Sequence, residues 1–327
     1  MRAEFRIESW PLCQPFITSR EVTESLAVLH CGLQRGPCSG RSEALGVDYH
    51  WETPASIQRT LEVAVANEGF LWDRMAFLDR LPAGGARNAL DCALWDLEAK
   101  EQGRRVWELA GFAAPRALQT TYTIGLAEPS KMAADFSLAP PGAVLKLKLG
   151  ARDGRDVDRV SAVRQVAPDA EIVVDVNEGW SIEELNEAAR AMNPLGVRLI
   201  EQPLPAAQDH ALDGYNGLLP LCADESFMDH SSFNSLHPRY SCINIKLDKT
   251  GGLTEALRCA TTARVKGLTL FVGNMLGTSL AMAPAFVLAQ QCRWVDLDGP
   301  LLLARDREPA ITYDGAMMQP FGSEVWG

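Results

Sequence analysis

Ile172–Gln202 reads IVVDVNEGWSIEELNEAARAMNPLGVRLIEQ and contains one complete unit of the fold. Its ends, IVVDVN (172–177) and VRLIEQ (197–202), are apolar runs of strand length, and Ile182–Met192 between them has a helical pattern. Each run closes on a carboxylate and an amide. A buried strand avoids charge unless the charge is paired, metal-bound or used in chemistry. Such tips mark a site rather than a surface.

The unit recurs. Val144–Leu149 (VLKLKL), Leu219–Glu225 (LPLCADE), Cys242–Asp248 (CINIKLD), Leu268–Asn274 (LTLFVGN) and Trp294–Asp298 (WVDLD) are further strand-like runs. Asp153–Val166, Leu253–Val265 and Thr278–Gln291 read as helices. Strand and helix in alternation predict a parallel α/β sheet. Leu118–Ile124 (LQTTYTI), followed by the helix-like Pro129–Phe136, makes eight strands, the number that closes a (β/α) barrel. No helical pattern follows Trp294–Asp298, so the expected architecture is (β/α)7β, a modified TIM barrel.

The chain before residue 115 has another rhythm. Ala3–Ser9, Val22–Leu33 and Ser42–Gly46 are β-like. Thr53-Pro54 is an N-cap with proline at the first helical position, leading into Ala55–Ala66. Phe70–Leu81 is also read as a helix. Ala86–Lys100 puts Leu90, Ala93, Leu94 and Leu97 on one face, the mark of an amphipathic helix. These patterns predict an α+β capping domain over 1–115, a barrel over 116–304, and a tail, 305–327, that rejoins the first domain.

Composition narrows the function. Of 327 residues 47% are hydrophobic and 22% charged, with a net charge of −11, which disfavours nucleic acid as a partner. No run of about 18 apolar residues exists, so no membrane span is expected, and MRAEFRIESW lacks the apolar core of a signal peptide. Eight dispersed cysteines read as reduced thiols of a cytoplasmic protein. The five histidines show no metal-ligand spacing and read as surface or loop residues. Oligomeric state stays open, a homo-oligomer included.

The chemistry lies in the tips. Lys146 and Lys148 share one face of their strand. Two adjacent ammonium groups disfavour each other's charge, so one pKa is expected to fall toward neutrality and create a general base. The alternative is an edge strand with its lysines in solvent. Asp175, Glu201 and Asp224 end the next three strands, at intervals of 26 and 23 residues. Three convergent carboxylates require a cation between them, and all-oxygen ligands favour one Mg²⁺ ion. Asn177 shares the face of Asp175; alternation points Glu225 away from Asp224. Asn244, Lys246 and Asp248 are expected on one strand face. Lys148 and Lys246, on the second and sixth strands, then oppose each other across the barrel. That arrangement suits removal of a proton next to a carboxylate, with the metal stabilising the enediolate and the second lysine returning a proton on the opposite face. Asp296 and Asp298 share a face and suggest capture of a substrate ammonium group; the alternative is a solvated turn before Gly299-Pro300.

These motifs (the Lys-x-Lys strand, VDVNEGW, IEQPLP, CADES, NIKLDKTGGLTEAL, DLDGP and ARNALDCALWDLEAK) resemble the dipeptide epimerases of the enolase superfamily, in particular those acting on L-Ala-D/L-Glu. The resemblance spans nearly the whole chain. It implies an isomerase with a cap built from both termini, Mg²⁺ on Asp175, Glu201 and Asp224, and Lys148 and Lys246 as the two bases, with Lys146 tuning Lys148. It implies that Asp296 and Asp298 hold the ammonium group of a small dipeptide from murein, and that Arg20 meets a glutamate side chain, for which a guanidinium fork is suited. Asn177, Thr123 and Met275 complete the expected substrate contacts. The capping segment GPCSGRSEALGVDYHWE departs from the Gly-x-Gly-Glu pattern of relatives and keeps only Glu43, and Asn274 stands where relatives often have cysteine; both regions are expected at the pocket. The weighed alternatives are a lyase or cycloisomerase of the o-succinylbenzoate synthase or muconate cycloisomerase type, an epimerase of other dipeptides, and a non-catalytic binding protein.

Overall fold

The structure, a computed structural model, describes residues 1–66, 72–78 and 80–327. The chain opens with an antiparallel sheet of three strands, β1 (Arg2–Ile17), β2 (Val22–Arg35) and β3 (Cys38–Ala44), in the order β1-β2-β3. Helices α1 (Pro54–Ala66), α2 (Arg74–Leu78), α3 (Gly85–Gln102) and α4 (Val106–Leu109) follow. The expected helix over Phe70–Leu81 is shorter as α2; Phe70, Leu71 and Asp79 lie outside the described residues.

Helix α3 differs from the amphipathic expectation. Ala89, Leu90, Ala93, Leu94 and Leu97 pack with Leu29, Leu33, Ile57 and Leu61 in a small core. Cys92, Trp95 and Ala99 on the other side join the main core. With apolar contacts on both sides, its polar residues must be paired inside. Asp91 accepts from the Thr254 N–H (2.9 Å) and hydroxyl (2.6 Å), and Arg87 donates to the Thr250 carbonyl (2.8 Å). The helix lies so close to β3 that a Cβ on Gly40 would stand 2.1 Å from the Ala93 carbonyl oxygen. Only glycine fits there.

Then come β4 (Leu118–Gln119) and β5 (Thr121–Ile124), where one strand was expected. The barrel continues through α5 (Pro129–Asp135), β6 (Val144–Lys148), α6 (Asp156–Val166), β7 (Ile172–Asp175), α7 (Ile182–Met192), β8 (Val197–Glu201), β9 (Leu221–Ala223), β10 (Tyr240–Lys246), α8 (Leu247–Thr250), α9 (Leu253–Val265), β11 (Thr269–Gly273), α10 (Ser279–Ala289) and β12 (Trp294–Val295). The parallel sheet runs β5 to β12 in chain order. Its two 22–23-residue intervals arise because β8–β9 and β9–β10 are joined by 3₁₀ segments, Ala206–Gly214 and His230–Asn234, rather than full helices. After β12 there is only the single turn α11 (Gly299–Leu302).

Side chains bridge the seam between β5 and β12. Thr120 Oγ1 accepts from the Leu297 N–H (2.9 Å), Thr121 Oγ1 donates to Asp296 (2.7 Å), and the Thr123 N–H donates to Asp298 (2.7 Å). Val144, Val173, Leu199, Cys222, Cys242, Phe271 and Trp294 form a separate apolar cluster on seven strands of the sheet. The tail forms a hairpin of β13 (Tyr313–Asp314) and β14 (Met317–Met318), of which β14 pairs with β4. It then returns to α3, where the Trp326 indole donates to the Cys92 carbonyl (3.2 Å) and the Gly327 N–H to Asp96 (2.6 Å).

Candidate active site

Lys148, Asp175, Glu201 and Lys246 are the last residues of β6, β7, β8 and β10. A cavity of about 320 Å³ opens there, and segments 16–27 and 45–54 form its other wall. It is lined by Lys146, Lys148, Asn177, Asp224, Lys246, Asp296, Asp298, Thr123, Met275 and Arg20. Asp175 and Glu201 stand behind this lining, buried.

The lysines are inside the protein rather than on a solvent edge. Lys146 lies 2.9 Å from both Glu201 and Asp296 and 3.2 Å from Asp175. Lys148 donates to Asp175 (2.6 Å) and Asn177 (3.1 Å), and Lys246 to Asp224 (2.7 Å). The expected fall in pKa from adjacent ammonium groups is not found for Lys146. Burial acts to lower it, but Asp296, Glu201 and Asp175 outweigh burial and hold it well above the usual lysine value. Lys246 is raised for the same reason, through Asp224.

The three expected ligands have different surroundings. Burial works to raise Asp175 and Asp224, yet Lys148 and Lys146 pull the first below the normal carboxylate range, and Lys246 and Lys249 the second. Burial and the Asp175 charge push Glu201 up to about 7. The cation that separates these carboxylates is the Lys146 ammonium, between Asp175 and Glu201. Among the described residues no group of three acidic, histidine or cysteine side chains stands at metal-ligand spacing, because each carboxylate is drawn to a lysine. The donor set nonetheless fits a hard cation. It is all oxygen and buried, and Glu201 Oε2, though 2.9 Å from the Lys146 ammonium, makes no hydrogen bond.

Two orientations expected from strand alternation are corrected. Strand β9 ends at Ala223, so Asp224 and Glu225 lie on the following turn and both face the cavity. Strand β10 ends at Lys246, and Asp248 sits on α8. There it accepts from the N–H groups of Leu45 (3.2 Å) and Gly46 (3.0 Å). Glu43 also departs from expectation. It does not line the cavity but is buried against the Thr278 N–H (2.8 Å) and hydroxyl (2.6 Å) and the Arg307 guanidinium (2.5 Å). Asn274 does line it, and shapes the turn by donating to the Asp296 carbonyl (2.6 Å).

Asp296 and Asp298 are not a solvated turn; both are buried in the cavity wall. Asp296 is engaged by Lys146 and Thr121. Burial and the neighbouring Asp296 charge push Asp298 up to about 7. Arg20 reaches over the rim to Glu225 (2.5 Å) and Glu178 (2.7 Å), with its guanidinium 5.0 Å from the Tyr49 ring centre.

Lys249 escaped the sequence reading. It is fully buried and donates to the Asp224 carboxylate (2.5 Å) and the carbonyls of Asp224 (2.5 Å) and Asn244 (3.0 Å). No signal in the sequence marks it: KLDKTGG (246–252) reads as an ordinary polar turn. Gln202 was also overlooked. Its side-chain oxygen Oε1 accepts from the N–H groups of Asp224 (2.9 Å) and Ser226 (3.0 Å) and fixes that turn.

Comparison with known proteins gives the family. Residues 142–318 match the family described as "Enolase C-terminal domain-like", and 59–111 match "Mandelate racemase / muconate lactonizing enzyme, N-terminal domain". The chain is 40% identical to the L-Ala-D/L-Glu epimerase of Escherichia coli (strain K12) over 306 residues, 94% of this chain and 95% of that one. It is 43% identical to an N-acetyl-D-glutamate racemase of Pseudoalteromonas sp over 250 residues, 76% and 78% of the two chains. A solved enolase family member from Agrobacterium tumefaciens, with homology to dipeptide epimerases and with sodium and L-Ala-L-Glu bound, superposes with a TM-score of 0.93 at 40% identity, covering 99% of each chain. The chain therefore belongs to the enolase superfamily and, within it, to the dipeptide epimerase family.

Proposed function

We propose that this protein is an isomerase that inverts the second residue of L-Ala-D/L-Glu dipeptides at Cα by a 1,1-proton transfer. The observation that carries the reading is the placement of Lys148 and Lys246, on the second and sixth of eight barrel strands and facing one cavity. One amine takes the Cα proton as the C–H bond breaks. The other delivers a proton to the opposite face of the planar carbon, and the configuration inverts. For this, one lysine must be neutral while the other is charged, a division favoured when two ammonium groups flank one small ligand. Lys146, held by three carboxylates, stays charged and tunes Lys148.

Asp175, Glu201 and Asp224 are the residues that would hold Mg²⁺, which when bound supplies positive charge against the negative charge developing on the substrate carboxylate. Asp296 and Asp298 receive the dipeptide ammonium group, Arg20 the glutamate side chain, and Thr123, Asn177 and Met275 contact the substrate. Residues 1–115 and 305–327 act as a cap on the 116–304 barrel. The reading assigns the reaction to cytoplasmic use of murein peptides.

A second reading, racemisation of an N-acylated glutamate, is favoured by one detail. Asp296 is engaged by Lys146 and Thr121, and Asp298 by the Thr123 N–H, so part of the ammonium clamp is already satisfied within the protein. Purified protein with Mg²⁺ should be given L-Ala-L-Glu, other L-Ala dipeptides and N-acetyl-glutamate, and the products separated on a chiral column. Inversion of L-Ala-L-Glu, lost with chelator and restored by Mg²⁺, supports the first reading. Inversion of N-acetyl-glutamate alone supports the second, and no inversion of any of them rejects both.

A further inference from the structure

The rim of the cavity carries a chain of contacts that the two-lysine chemistry does not use. Arg20 Nη2 lies 2.5 Å from Glu225 Oε1. That same oxygen accepts from Asn177 Nδ2 (3.3 Å), and Asn177 Oδ1 accepts from Lys148 Nζ (3.1 Å). Three contacts thus connect an arginine at the turn between β1 and β2 with the amine at the end of β6.

The backbone is bent to make this possible. Asn177 and Glu178 both have positive φ, 45° and 66°, and neither is glycine. Two consecutive residues in this region are costly and persist where the surroundings over-determine them, which is common at functional sites. The turn is fixed by the Asn177 N–H to Asp175 (3.1 Å), the Glu178 N–H to the Gln202 carbonyl (2.9 Å), and Glu178 Oε1 to the Ala206 N–H (2.8 Å). It presents the Asn177 amide to Lys148 and Glu225, and the Glu178 carboxylate to Arg20.

Glu225 is the hinge of the chain. Its side chain is 3% exposed, against 27% for that of Arg20. Its second oxygen, Oε2, is buried without a hydrogen bond. A buried carboxylate oxygen without a partner is expensive, so removal of Arg20 leaves Glu225 with only the Asn177 amide and favours its rearrangement.

We infer that Glu225 is a positioning residue that couples Arg20 to the orientation of Lys148 through Asn177. The inference rests on the proposed two-lysine reaction. A ligand that engages Arg20 alters the hold of Arg20 on Glu225, and through Asn177 the placement of one base and not the other. Lys246 makes no hydrogen bond in this chain: its contact is Asp224, backed by Lys249, and Glu225 reaches it only through charge.

The test is Glu225→Ala, with Glu225→Gln as the conservative companion should the alanine variant fail to fold. Solvent deuterium exchange at Cα is followed from each isomer of L-Ala-Glu separately. In the alanine variant, exchange from the isomer whose proton faces Lys148 should fall about tenfold or more. Exchange from the other isomer should stay within about threefold of wild type. The glutamine variant should show a smaller loss in the same half-reaction. Equal losses from both isomers, or no loss, overturn the coupling. A crystal structure of either variant gives a readout that needs no activity: the Lys148–Asn177 hydrogen bond should be broken, and finding it intact overturns the inference. If wild-type protein exchanges no dipeptide, the proposed function fails, and the variant structure still decides the coupling.

Discussion

The two sides of the cavity are built differently. On the Lys246 side, the β2–β3 region docks through Asp248, a buried carboxylate that accepts two backbone N–H groups, and Lys246 shares Asp224 with the fully buried Lys249. On the Lys148 side, the first turn docks through Arg20, a partly exposed guanidinium between two carboxylates, and reaches Lys148 through two side chains. The first side is held by main-chain contacts of Asp248 and by the buried pairing of Lys246 and Lys249 with Asp224. The second is held by a charge pair of the kind a carboxylate ligand competes for. The proposed symmetrical reaction would thus run on an asymmetrical frame, with Lys246 braced within the barrel and Lys148 linked also to the first turn of the chain.

The largest expected effect comes from removing a base. Lys246→Ala should lower interconversion in both directions by about 10⁴-fold, while Cα exchange persists from the isomer that Lys148 deprotonates. Lys148→Ala should give the mirror-image pattern. Exchange from the same isomer in both variants would end the assignment of opposite faces. Lys249→Met probes the buried support of the Lys246 side. Taking one partner from a buried ion pair costs about 3–5 kcal/mol, so the denaturant midpoint should drop with the slope unchanged. An unaltered midpoint would mean that Lys249 carries little of the hold on Asp224.

Asp298→Asn acts at the seam between the sides. It should raise KM for dipeptides by roughly ten- to a hundredfold, the scale of one charged hydrogen bond, equally for both isomers and much less for N-acetyl-glutamate. An equal rise for both substrate classes would reject an ammonium clamp. The last effect concerns Asp248 and is read in stability rather than in turnover. Burial, with Glu52 nearby, raises its folded pKa to about 7, against the opposing Gly46 N–H. The folded state therefore holds the proton at pH values where the unfolded chain releases it. Asp248 supports stability fully below about pH 4, and that support is lost as pH rises toward 7. Asp248→Asn should become more stable relative to wild type across this window, by up to about 4 kcal/mol. A difference that stays flat from pH 4 to 7 would contradict the shift.

The barrel and the positions of its tip residues were legible because strand length, apolar runs and terminal charge are local properties. Ile182–Met192 and Leu253–Val265 coincide with α7 and α9 for that reason. Alternation failed where strands ended early: β9 stops before Asp224 and β10 before Asp248, so the parity of Glu225 and Asp248 carried no directional information. Helix α3 misled because its burial on both sides depends on a contact with Thr254 far along the chain. The pKa of Lys146 was misjudged because its in-strand neighbour is visible in sequence, whereas Asp296, Glu201 and Asp175 reach it only through the closed barrel. The chain from Arg20 to Lys148 joins four segments and has no signature in any of them.

The most direct measurement starts from L-Ala-L-Glu in D₂O with Mg²⁺ and follows both isomers at early conversion by mass spectrometry. Two opposed amines require the L-Ala-D-Glu formed to carry solvent deuterium at Cα from the first turnover, while unreacted L-Ala-L-Glu largely retains its proton. L-Ala-D-Glu that keeps the original proton would show a single base serving both faces and would contradict the account.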